Sequence, residues 1–326
     1  MSSIPPPVLP PVDENVFIPD VIEFNLKRNP EQPFYTWSEP SATNGLAVIT
    51  HLEFGRAAHR IAHLLRPNRI GEDGEVVAFI ALADTILYQA ITTGLIVAGL
   101  VPFPISPRNS PAAVVNLLQK TSCRRLITTN ITLKPLIDAV KAQIAGTSLG
   151  EELQIEEIPS LTAAFPNLAY ETAEHSFEPY PKPANRPSKD DPCAYLHSSG
   201  STGFPKAIAQ THLAWTEWAR APGVWDYREH KPRLVLGCMA LPSFHTLGIF
   251  MQLLNPLYGI MSVTVYPPTA TSPSLLPVIP SPENIIEHAR LTHTTVLVII
   301  PYLLLVWATS PEAIAFLKTM KLLVSD

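Results

Sequence analysis

Buried strands and amphipathic helices alternate between residues 75 and 145, and this order constrains the fold more than any other feature of the sequence. Apolar runs predict strands at 75–82, 99–107 and 125–128, and helical spacing predicts helices at 85–98, 110–121 and 134–145. Consecutive strand–helix–strand units build parallel sheets with helices on their faces. The sequence therefore predicts a doubly wound α/β sheet.

The composition fits a globular protein and argues against two classes of partner. The 326 residues are 46% apolar and 16% charged, which suffices for one large domain or two ordinary ones. Since the net charge is −5 and no basic stripe is present, we expect no nucleic-acid binding. The longest apolar stretches, 76–83, 95–101 and 296–308, are shorter than the roughly 20 residues of a membrane span, so we expect no membrane partner.

Three well-separated cysteines indicate a reducing compartment. Cys123, Cys193 and Cys238 form no C-x-x-C pair, and we interpret them as buried, reduced thiols rather than metal ligands or disulfide partners. The N-terminus lacks the basic and apolar segments of a signal peptide. Together these features predict a cytoplasmic protein.

Local signals predict the first elements of the chain. Residues 1–14 are Pro-rich and predict an extended arm. A helix is expected to begin near Pro19 and Asp20, a short strand covers 34–37, and Thr50 caps the next helix.

The second half of the chain follows a similar order. Residues 149–190 are polar and Pro-rich, which predicts a surface linker region. Beyond it we expect strands at 194–197, 234–239, 262–266 and 295–300, and helices at 211–219, 247–258, 281–290 and 301–307. Trp215 and Trp218 are interpreted as core packing, and 320–326 as the start of another strand.

A loop rich in Ser, Thr and Gly lies within residues 195–212. It reads Tyr-Leu-His-Ser-Ser-Gly-Ser-Thr-Gly-Phe-Pro-Lys up to Lys206 and runs on to Thr211-His212. Small residues let backbone N–H groups approach an anion, and Gly200 and Gly203 allow dihedral angles that other residues resist. The hydroxyl donors are Ser198, Ser199, Ser201 and Thr202. With the positive charge of Lys206, the pattern predicts a phosphate-binding loop.

The loop is not a Walker A motif, because that motif needs Gly-Lys followed by Ser or Thr. Here Lys206 follows Pro205 and precedes Ala207. The alternative to a phosphate-binding loop is a flexible turn, which is what a random cluster of Ser and Gly residues would form.

The ordered string Ser-Ser-Gly-Ser-Thr-Gly-x-Pro-Lys resembles the phosphate-binding signature of the adenylate-forming superfamily. This superfamily comprises acyl- and aryl-CoA synthetases, luciferases and the adenylation domains of peptide synthetases. The resemblance implies that the loop embraces the β- and γ-phosphates of ATP while a carboxylate attacks the α-phosphorus. It implies a catalytic role for Lys206 and phosphate contacts for Ser198, Ser199, Gly200, Ser201, Thr202, Gly203 and Lys206.

The segment Leu-Pro-Ser-Phe-His-Thr-Leu-Gly at 241–248 matches a second motif of the superfamily. The resemblance implies that Phe244, His245 and Gly248 lie beside the acyl pocket and that His245 orients the reacting carboxylate by hydrogen bonding. A histidine with a purely structural role is the alternative. By the same resemblance Ile300, Pro301 and Tyr302 are pocket candidates, with core packing as an equal alternative.

His245 also bears on the substrate. Peptide-synthetase adenylation domains commonly carry an Asp at this position, where it pairs with the ammonium group of an α-amino acid. A buried ammonium needs such a carboxylate. The imidazole therefore predicts a non-amino carboxylic acid, which is an aryl, acyl or 2-oxo acid.

The sequence Pro-Ile-Ser-Pro-Arg-Asn-Ser at 104–110 resembles a segment of fungal adenylate-forming reductases. These reductases are NRPS-like multidomain enzymes. This likeness implies that the complete protein passes its acyl-adenylate to a phosphopantetheine carrier and that an NADPH-dependent domain then reduces the thioester. Arg108 itself is interpreted as a solvated charge. Two other functions stay open, a free-standing acyl- or aryl-CoA ligase and a truncated, non-catalytic nucleotide-binding protein.

The resemblance also predicts the extent of the fold. It implies the large N-terminal subdomain of the adenylate-forming fold over 15–326, with stacked α/β sheets, helices between and around them, and the C-terminal subdomain absent. The family's Mg²⁺-coordinating Glu, its ribose-binding Asp and the Lys of its C-terminal subdomain match no residue of this sequence. We therefore expect no metal ligand in this chain and little activity from it alone. Whether Asp326 is a natural end or a proteolytic boundary is open.

Overall fold

A computed structural model describes residues 4–198, 203–221, 228 and 234–325, and the elements below lie in these ranges. The helices are α1 Ile18–Arg28, α2 His51–Leu65, α3 Thr85–Val97, α4 Pro111–Lys120, α5 Lys134–Ile144, α6 Ser148–Glu152, α7 Leu161–Ala164, α8 His212–Ala219, α9 Thr246–Ile249, α10 Asn255–Gly259, α11 Pro282–Leu291, α12 Pro301–Trp307 and α13 Pro311–Leu317. The strands are β1 Pro33–Ser38, β2 Leu46–Thr50, β3 Val76–Ile80, β4 Val101–Pro104, β5 Arg125–Thr128, β6 Gln154–Glu157, β7 Pro192–His197, β8 Ala207–Thr211, β9 Val235–Gly237, β10 Ser262–Thr264, β11 Val296–Ile299 and β12 Leu322–Ser325. A π-helical turn at Phe250–Leu254 joins α9 to α10, and a 3₁₀ turn at Pro67–Arg69 follows α2.

The strands form two large sheets and a hairpin. The six-stranded sheet has the order β12-β11-β9-β10-β1-β2 and is parallel except between β1 and β2. The four-stranded sheet has the order β4-β3-β5-β6 and is parallel throughout. The hairpin pairs β7 with β8. Because the chain moves outward from β3 in both directions, the predicted doubly wound α/β arrangement is confirmed.

Helix α3 lies in the main core between the two large sheets. Every residue from Ile86 to Val97 is buried, as expected for a helix that is apolar on all sides. Phe79 of β3 packs in this core together with Tyr35 of β1. On the opposite face of β3, Ile80 packs in a second core with residues of α4 and α5. The stacked sheets with helices between and around them match the predicted fold.

Capping side chains explain why several helices begin where the sequence predicted. The Thr50 hydroxyl accepts the Glu53 N–H at 3.3 Å at the start of α2. Ser281 caps α11 by accepting the Asn284 N–H at 3.2 Å. Helix α12 begins at Pro301, where the missing N–H costs nothing in a first helical turn.

Residues 149–190 contain more structure than the predicted surface linker. Strand β6 extends the four-stranded sheet, and its Glu156 pairs with Arg125 of β5 at 2.7 Å. Further along, the buried Glu171 pairs with Arg56 of α2 at 3.0 Å. Sequence analysis did not predict strand β6 or the buried Glu171, because Glu and Arg are residue types that are typical of solvated surfaces.

The N-terminal arm runs without helix or strand from residue 4 to α1. Val8 exchanges two hydrogen bonds of 2.8 Å with the side-chain amide of Asn29. Gln32 donates its Nε2 to the Pro5 carbonyl at 2.6 Å. The arm is therefore held on the domain by side chains near the end of α1.

Two observations bear on the expectations from composition. Cys123, Cys193 and Cys238 are buried and free of disulfides, as predicted. Among the helices of the described segments, none has the length and apolar character that a bilayer-crossing helix needs.

Candidate active site

The β7–β8 hairpin carries the predicted phosphate loop between its strands. The Ser198 N–H donates to the Lys206 carbonyl at 3.1 Å, and the Lys206 N–H donates to the Ser198 hydroxyl oxygen at 3.3 Å. These two bonds close the neck of the loop. Gly203 has a φ of 147°, in the region that favours glycine. The remaining predicted contacts lie outside the described residues and are Ser199, Gly200, Ser201 and Thr202.

His197 ends β7 just before this neck. Its Nε2 accepts the Ser106 N–H at 3.0 Å, and its Nδ1 lies 3.3 Å from the Ser198 carbonyl oxygen. Burial lowers the pKa of His197 and outweighs the hydrogen bond with the Ser198 carbonyl, which raises it.

His245 is exposed and caps α9. Its backbone N–H donates to the Pro242 carbonyl at 3.0 Å, and its Nδ1 accepts the Leu247 N–H in a long bond of 3.4 Å. Because Nδ1 is an acceptor, the neutral ring carries its proton on Nε2. Within the described part of the chain Nε2 has no hydrogen-bond partner. The ring can therefore donate a hydrogen bond from Nε2 to a carboxylate.

Buried glutamines hold the segment that presents His245. Gln252 donates from Nε2 to the carbonyls of Cys238 and Leu241, at 3.0 and 2.9 Å. Gln89 of α3 donates from Nε2 to the Ser243 carbonyl at 3.2 Å. Sequence analysis missed both glutamines. A polar residue in an otherwise apolar predicted helix is the signal that could have found them.

Gly248 and Phe244 have structural roles beside His245. A Cβ atom at Gly248 would lie 2.1 Å from the Pro242 carbonyl oxygen, so a larger residue would displace the start of α9. Phe244 is half-buried and packs against the main core. The two predicted positions thus fix the backbone that turns at His245.

An open cavity of about 380 Å³ lies beside His245. Its lining residues are Trp218, His245, Thr246, Leu247, Phe250, Val324 and Ser325. The rings of Trp218 and Phe250 meet edge to face, with centroids 5.6 Å apart. Trp218 packs against the main core, as predicted, and also forms a wall of this cavity. None of these lining side chains is a carboxylate, and most are apolar.

The third group of predicted pocket residues lies elsewhere. Ile300, Pro301 and Tyr302 begin α12 and are exposed, with Tyr302 at 64%. They are absent from the lining of this cavity. The 241–248 segment therefore contributes to the lining of this cavity, but the start of α12 does not.

The described residues offer no metal site. Within these ranges no group of three or more His, Cys, Asp or Glu side chains is arranged to hold a metal ion. We therefore derive no step through the Mg²⁺ that accompanies ATP.

The sequence of the whole domain matches a known family. The family model described as "AMP-binding enzyme" matches residues 22–318. The chain belongs to the AMP-binding enzyme family.

Curated relatives of this AMP-binding enzyme are fungal adenylate-forming reductases. The chain is 48% identical over 318 residues to adenylate-forming reductase Nps11 of Serpula lacrymans var. lacrymans (strain S7.9), covering 97% of this chain and 29% of that protein. It is 44% identical over 318 residues to Nps9 of the same fungus, covering 97% of this chain and 28% of that protein. The chain thus spans less than a third of the length of these relatives.

A solved structure shows the same fold. The inhibitor-bound N-terminal domain of FACL13 from Mycobacterium tuberculosis superposes with a TM-score of 0.69 at 18% sequence identity. The match covers 95% of this chain and 69% of that chain. The predicted N-terminal subdomain architecture is therefore confirmed at the level of the fold.

Proposed function

We propose that this AMP-binding enzyme contributes the ATP-phosphate loop and the acid pocket of a domain that activates an apolar, non-amino carboxylic acid as its acyl-adenylate. The observation that carries the proposal is the position of the cavity. It opens at His245, whose Nε2 can donate a hydrogen bond to the carboxylate of an acid bound there. In this proposal the loop between β7 and β8 holds the ATP phosphates, and the acid reaches them from the cavity.

The cavity lining supports the proposed class of acid. Leu247, Val324 and the aromatic pair of Trp218 and Phe250 suit an aryl ring or a short acyl chain. No described lining residue is a carboxylate that would neutralise the ammonium group of an α-amino acid. An α-amino acid would leave that charge unpaired, so we expect discrimination against it.

Each of two residues has a distinct part in the reaction. A carboxylate oxygen of the acid attacks the α-phosphorus of ATP and forms the acyl–phosphate bond, while the bond to pyrophosphate breaks. Lys206 offsets negative charge on the departing phosphates, and His245 orients the acid by donating from Nε2. No proton has to leave the carboxylate, so His245 acts by orientation and not as a general base.

The complete protein is proposed to do more than the adenylation step. The names of the relatives and the short span of the match support a phosphopantetheine carrier and an NADPH-dependent reductase domain acting in cis after the adenylation domain. We also propose that ATP acts together with Mg²⁺. We further propose a cytoplasmic location, no nucleic-acid partner, and little adenylation by residues 1–326 alone.

Acid-dependent exchange of pyrophosphate into ATP tests this function. The complete protein is assayed with benzoate, hexanoate, phenylpyruvate and, as the amino-acid comparison, phenylalanine. Exchange is expected with one of the non-amino acids and not with phenylalanine. Lys206→Ala and His245→Ala are each expected to lower the exchange rate by about a hundredfold, the size of effect seen on removing one charge-stabilising donor.

A matched control separates loss of the site from loss of the fold. Lys134 is an exposed lysine that pairs with Asp138 within α5, and Lys134→Ala should exchange like the wild type. Exchange with phenylalanine alone would contradict the proposed role of His245. No exchange with any of the acids would favour a non-catalytic nucleotide-binding protein.

A further inference from the structure

We infer that His197 is a positioning residue that fixes the neck of the phosphate loop through a neutral imidazole with its proton on Nδ1. The inference rests on the proposed function, because it concerns the loop that would hold the ATP phosphates. It adds a residue and a pH dependence to that site.

The imidazole bridges two segments that meet only through tertiary structure. One is the neck, where Ser198 and Lys206 close the loop by two hydrogen bonds. The other is the turn beyond β4, where Ser106 donates its N–H to Nε2 of His197 at 3.0 Å. The Ser106 hydroxyl accepts the Arg108 N–H at 3.2 Å, so the same residue also orders its own turn. His197 thus connects the turn to the first residue of the loop.

The hydrogen bonds define the tautomer. Because Nε2 accepts the Ser106 N–H, Nε2 carries no proton in the neutral ring. The proton must then lie on Nδ1, which faces the Ser198 carbonyl oxygen at 3.3 Å. Protonation of His197 would put an N–H on Nε2 directly opposite the Ser106 N–H. Two donors would then face each other, and the connection between the turn and the neck would break.

The surroundings favour the neutral ring. Half-burial at the end of β7 lowers the pKa of His197. The charged groups on the adjoining segments are the cations Arg108 and Lys206. No carboxylate acts on His197 among the described residues, and burial outweighs the hydrogen bond with the Ser198 carbonyl, which by itself raises the pKa of His197. The connection is therefore intact near neutral pH and is lost as pH falls through the lowered pKa.

The first experiment reads the tautomer directly. Long-range ¹H–¹⁵N correlation spectra of the histidine rings are recorded on the 326-residue chain near neutral pH, and His197→Gln identifies the His197 signals. The expected pattern is a protonated Nδ1 and an unprotonated Nε2. The opposite tautomer, or a charged ring near neutral pH, would overturn the inference. This result does not depend on any catalytic activity.

The second experiment measures the affinity for ATP by calorimetry, with MgATP and with magnesium pyrophosphate as probes. His197→Ala is expected to weaken binding of both probes by about tenfold, the equivalent of one hydrogen bond. His197→Gln keeps an acceptor oxygen for the Ser106 N–H and should bind within about threefold of the wild type. Acidification should weaken binding more in the wild type than in His197→Gln, because glutamine does not titrate.

A matched histidine provides the control. His175 is exposed and also accepts a backbone N–H, that of Thr172 at 2.9 Å, but it lies in the 149–190 segment. His175→Ala should bind both probes like the wild type. Equal affinity of His197→Ala and the wild type, or equal loss in the Gln and Ala variants, would overturn the positioning role. Normal probe binding without acid-dependent exchange would contradict the proposed function and leave this inference standing.

Discussion

The carboxyl group of Glu53 accepts the backbone N–H of Ala169 at 2.8 Å, in a position where Glu53 is almost fully buried. Burial raises the pKa of this carboxyl group to about 8, and the nearby charge of Glu171 adds to the increase. The folded protein therefore prefers the protonated form of Glu53 near neutral pH. A neutral contact thus holds the 149–190 segment against α2.

The unfolding free energy of the wild type is expected to fall as pH rises towards 8, and Glu53→Gln is expected to abolish this fall. The folded pKa lies above the ordinary value of 4.5, so the contribution of Glu53 is full below that value and is lost as pH rises to about 8. The slope is at most about 1.4 kcal/mol per pH unit. Gln keeps an acceptor for the Ala169 N–H and does not ionise. Urea unfolding across this pH range measures the difference between the two proteins.

Glu174→Gln is the control for this measurement, since Glu174 is exposed in the same segment. Its unfolding free energy should follow the pH dependence of the wild type. If Glu53→Gln also followed it unchanged, the protonated state of Glu53 would be refuted.

Glu171→Gln is expected to destabilise the protein strongly. The buried carboxylate of Glu171 pairs with both Arg56 and Arg60 of α2. Removing the charge leaves the two guanidinium groups without their anion, at a cost of about 3–5 kcal/mol in unfolding free energy. Equilibrium urea unfolding measures this cost.

An exposed ion pair gives the comparison for Glu171. Glu217 pairs with Arg220 at 2.8 Å, with both side chains about half exposed. Because solvent screens this pair, Glu217→Gln should cost no more than about 1 kcal/mol. Equal costs at the two sites would show that burial of Glu171 contributes nothing.

Much of the fold was predictable because its signals are local. The bounds predicted for β5 and α12 are the observed ones, since apolar runs and a Pro at the first helical position mark them. Strand β6 was missed because Glu156 and Glu157 make it polar, and only pairing with β5 reveals it. Within the predicted helix 247–258, the π-helical turn was also missed, because sequence periodicity does not distinguish a single wide turn.

In the candidate site, too, the residues of local motifs were predictable and the long-range contacts were not. Lys206 and His245 belong to contiguous motifs, which a sequence shows directly. Trp218 and Phe250 form the cavity wall from separate helices, and their approach to 5.6 Å is a product of tertiary packing. The role of Ser106 opposite His197 also depends on β4 and β7 lying side by side. Long-range contacts of this kind leave no local pattern.

His212→Phe is expected to reduce acid destabilisation. His212 stacks on Phe17 with centroids 4.4 Å apart, and burial lowers its pKa to about 4. Since this folded pKa lies below the ordinary value of 6.5, the contribution is full above pH 6.5 and is lost as pH falls to about 4. Phe keeps the stacking and cannot be protonated. Thermal unfolding between these pH values should show a shallower acid loss for His212→Phe, whereas His175→Phe at an exposed site should match the wild type.

Asp84→Ala is expected to loosen the chain after β10. The Asp84 carboxylate accepts the Thr269 N–H at 3.2 Å and the Ala270 N–H at 2.8 Å, and it is buried. Alanine leaves two amides without these acceptors, which should cost about 2 kcal/mol in unfolding free energy. Hydrogen exchange at Ala270 should accelerate by more than the global loss of stability explains. Asp84→Asn keeps one acceptor oxygen and should lie between Asp84→Ala and the wild type.

Asp138→Ala controls for the loss of an acidic side chain, because Asp138 is exposed and pairs only with Lys134 in the described ranges. Its exchange at Ala270 should equal that of the wild type. Unchanged exchange at Ala270 in Asp84→Ala would mean that the backbone after β10 keeps its conformation without the carboxylate. Ala270 lines a small second cavity together with Ala83 and Leu87, and in that case packing alone would fix the position of Ala270 there.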